Sequence, residues 1–247
     1  DMTWDNRAIN IFIGDVSWDR GDFRAIFSGI TSSLSSKDDG SINIQVKDKL
    51  QRLNAPITED KLGGLSSNQD KLIPCCFGEA VNVTPLLTDV ATHEYQVHNS
   101  QIEQIIEVRD NGVPVSITAD LPNGKFTLDS QPYGVITASV QGDNQTAYKG
   151  TVASVIERIV TGYGKATEQF QAADIDAASI AQFDIDNPQT IGYYCSSRVN
   201  VLTAIQFIAG SVGASVVMSR EGKMRLLKIE LPASGTPVEI GENQMRD

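Results

Sequence analysis

The sequence IEQIIEVRDNGVPVSI, at residues 102–117, decides the fold class. Its first part, 102–108, is an apolar strand candidate, and 113–117 has an apolar residue at every second position, which is the period of a β-strand. Between them, the Asp-Asn-Gly tripeptide at 110–112 is a strong signal for a tight turn. The stretch therefore predicts an antiparallel hairpin in a β-rich protein.

Further strand candidates lie on both sides of this hairpin. Toward the N-terminus, 9–13 and 42–46 alternate apolar and polar residues, and an Asp-Gly hairpin signal precedes the second of them. A polar, glycine-containing loop or linker is predicted at 58–72. The remaining strand candidates are 23–30, 73–78, 81–83, 94–97, 125–128 and 135–140.

The pattern changes to helices after residue 150. Apolar residues recur at i, i+3, i+4, i+7 and i+8 from Val152 to Val160, which predicts an amphipathic helix that Gly162 and Gly164 end. A short helix is expected within 172–183, capped by Asp176. A second strong helix is predicted at 200–212. It is followed by a hairpin whose strands, 216–218 and 224–229, flank the turn at 219–222.

These elements predict an α+β, β-rich fold. Small antiparallel β modules, barrel-like or sandwich-like, are followed by a helix–helix–β-hairpin unit. We divide the chain into an N-terminal β module (1–60), a second β-rich module (61–148) and a helix–helix–hairpin module (149–247).

Composition excludes several classes of protein. The 20 basic and 31 acidic residues give a net charge of −11, which excludes the basic surface that nucleic-acid binding needs. A hydrophobic content of 40% is too high for a disordered chain. No apolar stretch approaches the roughly 20 residues of a membrane span, and the charged residues at the start of the sequence predict no signal peptide. Asp1 precedes Met2, which favours a start inside a longer chain or after processing.

Motifs for catalysis and for metal binding are missing. The two histidines, His93 and His98, lack the spacing of a helical zinc pair, and we interpret them as exposed or hydrogen-bonded structural residues. Nucleophile-elbow, Walker and dinucleotide motifs are absent. The glycine-containing stretch at 161–164 follows a helix instead of a strand, so it is interpreted as a helix stop.

The three cysteines, Cys75, Cys76 and Cys195, cannot form a disulfide framework, and they favour a reducing assembly compartment over secretion. Adjacent cysteines alternate faces in a strand and cannot easily share a metal, and an iron–sulfur cluster usually needs four thiolates. We interpret them as small buried apolar residues. The sequence thus predicts no catalytic residue, no metal and no cofactor.

The acidic pairs Asp174/Asp176 and Asp184/Asp186 are the sharpest carboxylate cluster. Paired carboxylates can bind calcium or hydrolyse glycosides. The glycine and the terminal glutamate of a calcium loop are missing, so helix capping and solvated loop ends are the favoured interpretation.

Two further pairs of residues are candidates for special roles. Glu157 and Arg158 are predicted to lie on a solvated helix face. Trp4 and Trp18 belong to the first β module, where half-buried core residues are favoured over interface anchors.

Several stretches, in their order along the chain, resemble the hub or tail-tip proteins of long-tailed bacteriophages. The resemblance covers most of residues 4–230, and its motifs are structural. The doubled cysteine and the abrupt start depart from the family pattern. The stretches are WDRGDFRAIFSG (18–29), KDKLQRLNAPI (47–57), IPCCFGEAVNVTP (73–85), YQVH (95–98), VRDNGV (108–113), IGYY (191–194) and REGKMRL (220–226), with the predicted helix at 200–212 between the last two.

This resemblance implies a non-enzymatic virion protein, assembled in the bacterial host cytoplasm and located at the distal tail tip. A homotrimeric ring would close the tail tube. It would join the distal tail protein to the central tail fibre or spike, hold the end of the tape-measure protein near its lumen, and open for DNA ejection. Some related tail tips carry an iron–sulfur cluster, which the three cysteines here do not support. The net charge then predicts an acidic lumen, along which DNA slides without binding.

Two alternatives remain open at this stage. A β-rich receptor- or glycan-binding module of a viral or bacterial surface assembly would need an exposed aromatic platform, and aromatic residues make up only 6% of the chain and are scattered. A hydrolase would use Asp174, Asp176, Asp184 or Asp186.

Overall fold

The computed structural model describes residues 6–36, 40–64 and 67–229. Of these residues, 41% lie in strands and 21% in helices, arranged as small antiparallel sheets with three α-helices, which confirms the β-rich α+β prediction. Trp4 and residues 37–39 of the predicted first turn lie outside the described residues.

Most of the described elements match predicted ones, but the strands at Leu86–Asp89 and Gly192–Cys195 were not predicted, and the strand predicted at 113–117 is divided between two sheets. The strands are β1 (Ala8–Ile13), β2 (Arg24–Ser36), β3 (Ile42–Lys47), β4 (Cys75–Val83), β5 (Leu86–Asp89), β6 (Glu94–Gln96), β7 (Ile102–Asp110), β8 (Val113–Pro114), β9 (Ile117–Asp120), β10 (Lys125–Leu128), β11 (Ile136–Asp143), β12 (Gly192–Cys195), β13 (Ala214–Met218) and β14 (Met224–Lys228). The α-helices are α1 (Val152–Gly162), α2 (Ala177–Asp186) and α3 (Val201–Gly210).

The central sheet has five strands in the order β12-β4-β11-β7-β8 and separates two hydrophobic cores. Alternation along β4 shows the division, because Cys75 and Phe77 pack with the helices while Cys76 and Ala80 pack on the opposite face. We call the first the helical core; it also contains residues of β12, of the β13–β14 hairpin and of the 3-10 turn Lys49–Leu53. We call the second the sheet core; it lies between the central sheet and a second sheet, β5-β6-β10-β9.

Aspartate side chains accept backbone N–H groups at the N-termini of α1 and α2. Ala153, in the first turn of α1, donates its N–H to Oδ1 of Asp184 on α2 at 3.1 Å. The Asp176 side chain accepts the N–H of Ser179 at 3.2 Å, which confirms the predicted cap of α2. Such capping bonds satisfy backbone donors that a helix leaves unpaired at its N-terminus.

The first three strands form a sheet, which we call the arm, in the order β1-β2-β3. The 13-residue strand β2 pairs with β1 over 24–30 and with β3 over 30–36, so each end of the arm is a ribbon of only two strands. The predicted strand at 23–30 is longer than expected, because β3 supplies a hydrogen-bonding partner for the serine-rich residues 31–36. The middle of the arm contacts the rest of the chain, where Ser28 donates its N–H to the Arg220 carbonyl at 2.8 Å.

Gly78 permits the pairing of β4 with β12. Its φ of +62° lies in the left-handed region, and a Cβ atom there would sit 2.0 Å from the Ile191 carbonyl oxygen. That oxygen accepts the N–H of Glu79 at 2.8 Å. The position therefore needs a residue without a side chain for two separate reasons.

We expect Gly78→Ala to lower the free energy of unfolding by more than about 1–2 kcal/mol, because the left-handed backbone alone costs a residue with a Cβ that much. The clash with Ile191 adds to this cost. Gly112→Ala is the matched control, since its φ is +83° but its Cβ would meet no atom within 4 Å. Urea denaturation followed by circular dichroism measures both. Equal losses in the two variants would contradict the role of the close contact.

Candidate functional site

A buried ion pair lies between the central sheet and α1. Arg158 donates from Nε to Oδ1 of Asp143 at 2.8 Å and from Nη2 to Oδ2 at 3.0 Å, so the carboxylate is held by two parallel bonds. Asp143 ends β11 and is 2% exposed, and Arg158 is 8% exposed. Nη2 of Arg158 also donates to the Gln145 side-chain oxygen at 2.7 Å. Bidentate geometry of this kind is the strong form of an arginine–carboxylate contact.

His98, which is fully buried, completes one side of this pair. The backbone N–H of Cys76 donates to its Nδ1 at 3.0 Å, so Nδ1 carries no proton and the ring is the neutral Nε2–H tautomer. Nε2 lies 3.4 Å from Oδ2 of Asp143 and 3.1 Å from the Tyr163 hydroxyl. Burial lowers the pKa of His98 from its ordinary value of 6.5, which favours this neutral form.

The Tyr163 hydroxyl donates to the same oxygen of Asp143. Burial alone would raise the pKa of Asp143, but the hydrogen bonds from His98, Arg158 and Tyr163 outweigh it and hold that pKa well below its ordinary value of 3.8. Burial, with the Asp143 charge beside it, raises the pKa of Tyr163 far above its ordinary value. We call Asp143, Arg158, His98 and Tyr163 the polar network.

The polar network does not have the geometry of a nucleophilic triad. Ser100 Oγ lies 3.1 Å from Nε2 of His98, which is the same nitrogen that faces Asp143. In a triad the base uses one ring nitrogen for the nucleophile and the other for the acid. Here the other nitrogen accepts the Cys76 N–H. The polar network joins β4, β11 and the end of α1, and its role is structural. We call this set of contacts between the three elements the clamp.

A cleft of ≈ 710 Å³ opens beside the network. One wall is the segment 54–60, and the end of α1 with the residues after it, 162–168, forms another. Ser100, Gln145 and Tyr163 connect the cleft to the polar network. Its rim carries the ion pairs Lys165–Glu168 and Arg198–Glu59, at 3.0 and 2.8 Å, so its charged groups are largely paired with each other.

The four predicted carboxylates do not converge on one site. Asp174 pairs with Lys49 at 2.7 Å, and Asp176 pairs with Arg225 at 2.7 Å in addition to capping α2. Asp184 accepts the N–H at the start of α1, and Asp186 accepts from the Gln182 side chain at 2.9 Å. Each carboxylate therefore has its own structural partner.

The cysteines divide between the two cores, as expected for neighbours in a strand. Cys195 is far from Cys75 in the sequence but lies directly opposite it in the β12–β4 pairing. All three thiols are free and buried. A hydrogen bond to Cys195, together with burial, raises the pKa of Cys75, and burial raises the pKa of Cys76 to about 12. In 6–36, 40–64 and 67–229, no three or more His, Cys, Asp or Glu side chains are grouped to hold a metal ion.

Two interpretations of single residues are wrong. Arg158 is not on a solvated face, because its guanidinium reaches back to Asp143 and passes over the Tyr163 ring at 5.1 Å. Trp18 belongs to neither core and is 43% exposed, with Arg24 packed over its ring at 5.8 Å. With Phe12 and Phe23, Trp18 lines a cavity of ≈ 600 Å³ at the end of the arm, so these three aromatic residues are gathered and not scattered.

Exposed apolar side chains are concentrated on the arm. Ten of the twenty large apolar side chains that are exposed in the described residues lie between residues 11 and 46. The arm contributes no residue to the helical core or to the sheet core. Exposed apolar side chains that are grouped on one part of a folded protein are typical of an interaction surface.

Comparison with protein-family models, curated proteins and solved structures found no match to this chain. Across the described part of the chain, none of the helices combines the length and the apolar character needed to cross a membrane.

We expect Asp143→Asn to lower the free energy of unfolding by about 3–5 kcal/mol, since it leaves Arg158 buried without its counter-charge. Arg158→Met should cost a similar amount for the converse reason. The double variant should cost less than the sum of the two by at least about 1 kcal/mol, as residues in one network couple. Lys165→Met, at the exposed pair with Glu168, is the control and should cost less than about 1 kcal/mol. Additive losses at Asp143 and Arg158, measured by urea denaturation, would exclude the clamp.

As the pH is lowered, the free energy of unfolding should also fall in two steps. Because the pKa of His98 is lowered in the folded state, its contribution is present above 6.5 and is lost as the pH falls below that value. The contribution of Asp143 is lost only below 3.8, as the pH falls toward its lowered pKa. The urea midpoint of His98→Asn should therefore change less between about pH 7.5 and pH 5 than that of the wild type. His93→Asn, outside the network, should keep the wild-type response, and a wild-type response in His98→Asn would contradict the assignment.

Proposed function

We propose that this chain is a structural subunit of a bacteriophage tail-tip hub, which closes the distal end of the tail tube and opens for DNA ejection. The observation that supports an assembly role is the arm, whose apolar side chains are exposed and whose two ends have only two strands each. An isolated two-stranded ribbon is marginally stable in water. The arm is therefore suited to a chain that works within a larger particle.

The resemblance of the sequence to hub proteins supplies the identity of that particle. In the proposed assembly three copies form a ring, which contacts the distal tail protein on one side and the central fibre or spike on the other. A closed ring of three uses heterologous contacts. The edge strands of the arm, β1 and β3, offer backbone groups for such contacts, since an exposed edge can accept a further strand.

The charge of the chain fits conduction of DNA. A net charge of −11 leaves an excess of carboxylates, and a channel wall with such an excess repels phosphate. The tape-measure protein would end near the same lumen. No specific contact with DNA is needed for this role, because the genome only has to pass.

The test is the position of the protein in the particle. We expect antibodies against the purified chain to label the distal end of the tails of the phage that encodes it. Averaged electron micrographs of those tails should show a threefold ring at that position with carboxylates toward the axis. Label along the tube or on the head would overturn the proposal. Tails that carry no label would also overturn it, when a control antibody labels a major tube subunit in the same tails. A neutral or basic axial face would overturn the proposed lumen charge alone.

A further inference from the structure

One face of the arm is apolar across all three strands. The pairing register puts Ile11 opposite Phe27 and Ile44 opposite Leu34, so each pair shares a face. Thr31 pairs with Val46, and alternation along β2 puts Thr31 on the same face as Phe27. The two apolar groups are therefore on one side of the sheet. We call this side the outer face; its apolar members are Ile9, Ile11, Phe27, Leu34, Ile42, Ile44 and Val46.

The opposite face has a different composition and a different neighbour. Alternation places Asn43, Gln45 and Lys47 there on β3, together with Ser28 and Ile30 on β2. Ser28 and Ile30 lie where the arm meets the rest of the chain, and Ile30 is buried. A sheet with one apolar face normally packs that face on a core. In this arm the opposite face is instead turned toward the rest of the described chain, which we call the body.

Most of the outer face is exposed, although Thr31 in its middle is buried. Ile11, Leu34, Ile42, Ile44 and Val46 are between 37% and 65% exposed, and none of them belongs to either core. At roughly 25 cal/mol per Å² of apolar surface, burying five such side chains is a substantial driving force for association.

Charge indicates what covers this face. On β3 the outer face carries only Ile42, Ile44 and Val46, and Arg24, which pairs with Ile13, places a basic side chain at the far end of the face. Residues 6–36 and 40–47 together carry four basic and three acidic residues, whereas the whole chain has a net charge of −11. Two copies therefore repel each other over most of their acidic surface but not at the arm. The arm is the part of the chain that another copy can approach with the least like-charge repulsion.

We infer that the outer face of the arm packs against another copy of this chain. This inference rests on the proposed assembly role and names the surface through which the copies contact each other. The apolar side chains supply the affinity, and the lack of an acidic excess on the arm makes contact between identical acidic chains possible. A charged residue placed in the middle of the face would have to be buried without a partner, which is costly.

The test compares two lysine variants of adjacent residues in β3. Ile44→Lys puts a charge on the outer face, and Asn43→Lys puts the same charge on the opposite face, where it remains solvated. We expect the wild type and Asn43→Lys to form the same oligomer by light scattering coupled to size-exclusion chromatography. Ile44→Lys should raise the dissociation constant at least tenfold, which corresponds to about 1.4 kcal/mol. Far-ultraviolet circular dichroism checks that both variants are folded, and Leu34→Lys, on the paired strand, repeats the test if Ile44→Lys does not fold.

Several results would overturn the inference. A monomeric wild type would do so, as would an oligomer that Ile44→Lys and Leu34→Lys leave intact, or one that Asn43→Lys weakens equally. These results are separate from the position of the protein in the tail. An intact oligomer in Ile44→Lys, with label still at the tail tip, removes the proposed contact surface and leaves the hub. Weakened association without label at the tip removes the hub and leaves the contact.

Discussion

The ion pair between Asp143 and Arg158 is the interaction on which the rest of the body depends. A carboxylate that is 2% exposed cannot keep its charge unless every nearby donor is directed toward it. Arg158 and Tyr163 come from the end of α1, whereas His98 comes from the segment after β6, and each has to be in place for the others to be satisfied. The network thereby fixes α1 against β11, and through the Cys76 amide it also fixes the neutral ring of His98 against β4.

This constraint explains why the body and the arm differ. The body has two cores on either side of one sheet, joined by a polar clamp that tolerates little displacement. The arm has no core, and it is attached at its middle by the contact between Ser28 and Arg220. A folded body with an exposed apolar sheet is the architecture expected of a subunit that keeps its own fold and completes its surface by association. The cleft beside the network, whose charged groups are largely paired with each other, is less important for this architecture than the arm.

Local patterns in the sequence predicted the elements of the body well. The apolar stripe of α1, the cap at Asp176 and the hairpin after α3 depend on neighbours within a few residues, and all three are present. The polar network could not be predicted in this way, because His98 and Tyr163 are 65 residues apart and periodicity carries no information about such pairs. For Arg158 the pattern was misleading: the face of α1 that looked solvated meets the end of a strand. The prediction of a core position for Trp18 was wrong because an aromatic residue in a β region usually packs on a hydrophobic core, whereas the arm has no core.

The alternation of Cys75 and Cys76 along β4 gives the body two chemical reporters. A thiol reacts with an alkylating reagent only after the structure around it opens, and its reaction rate then measures the free energy of that opening. Cys76 lies in the sheet core, while Cys75 and Cys195 face each other in the helical core. Alkylation of single-cysteine variants would separate local opening of one layer from that of the other. If the clamp makes the two layers one cooperative unit, the thiols on both sides of β4 open together.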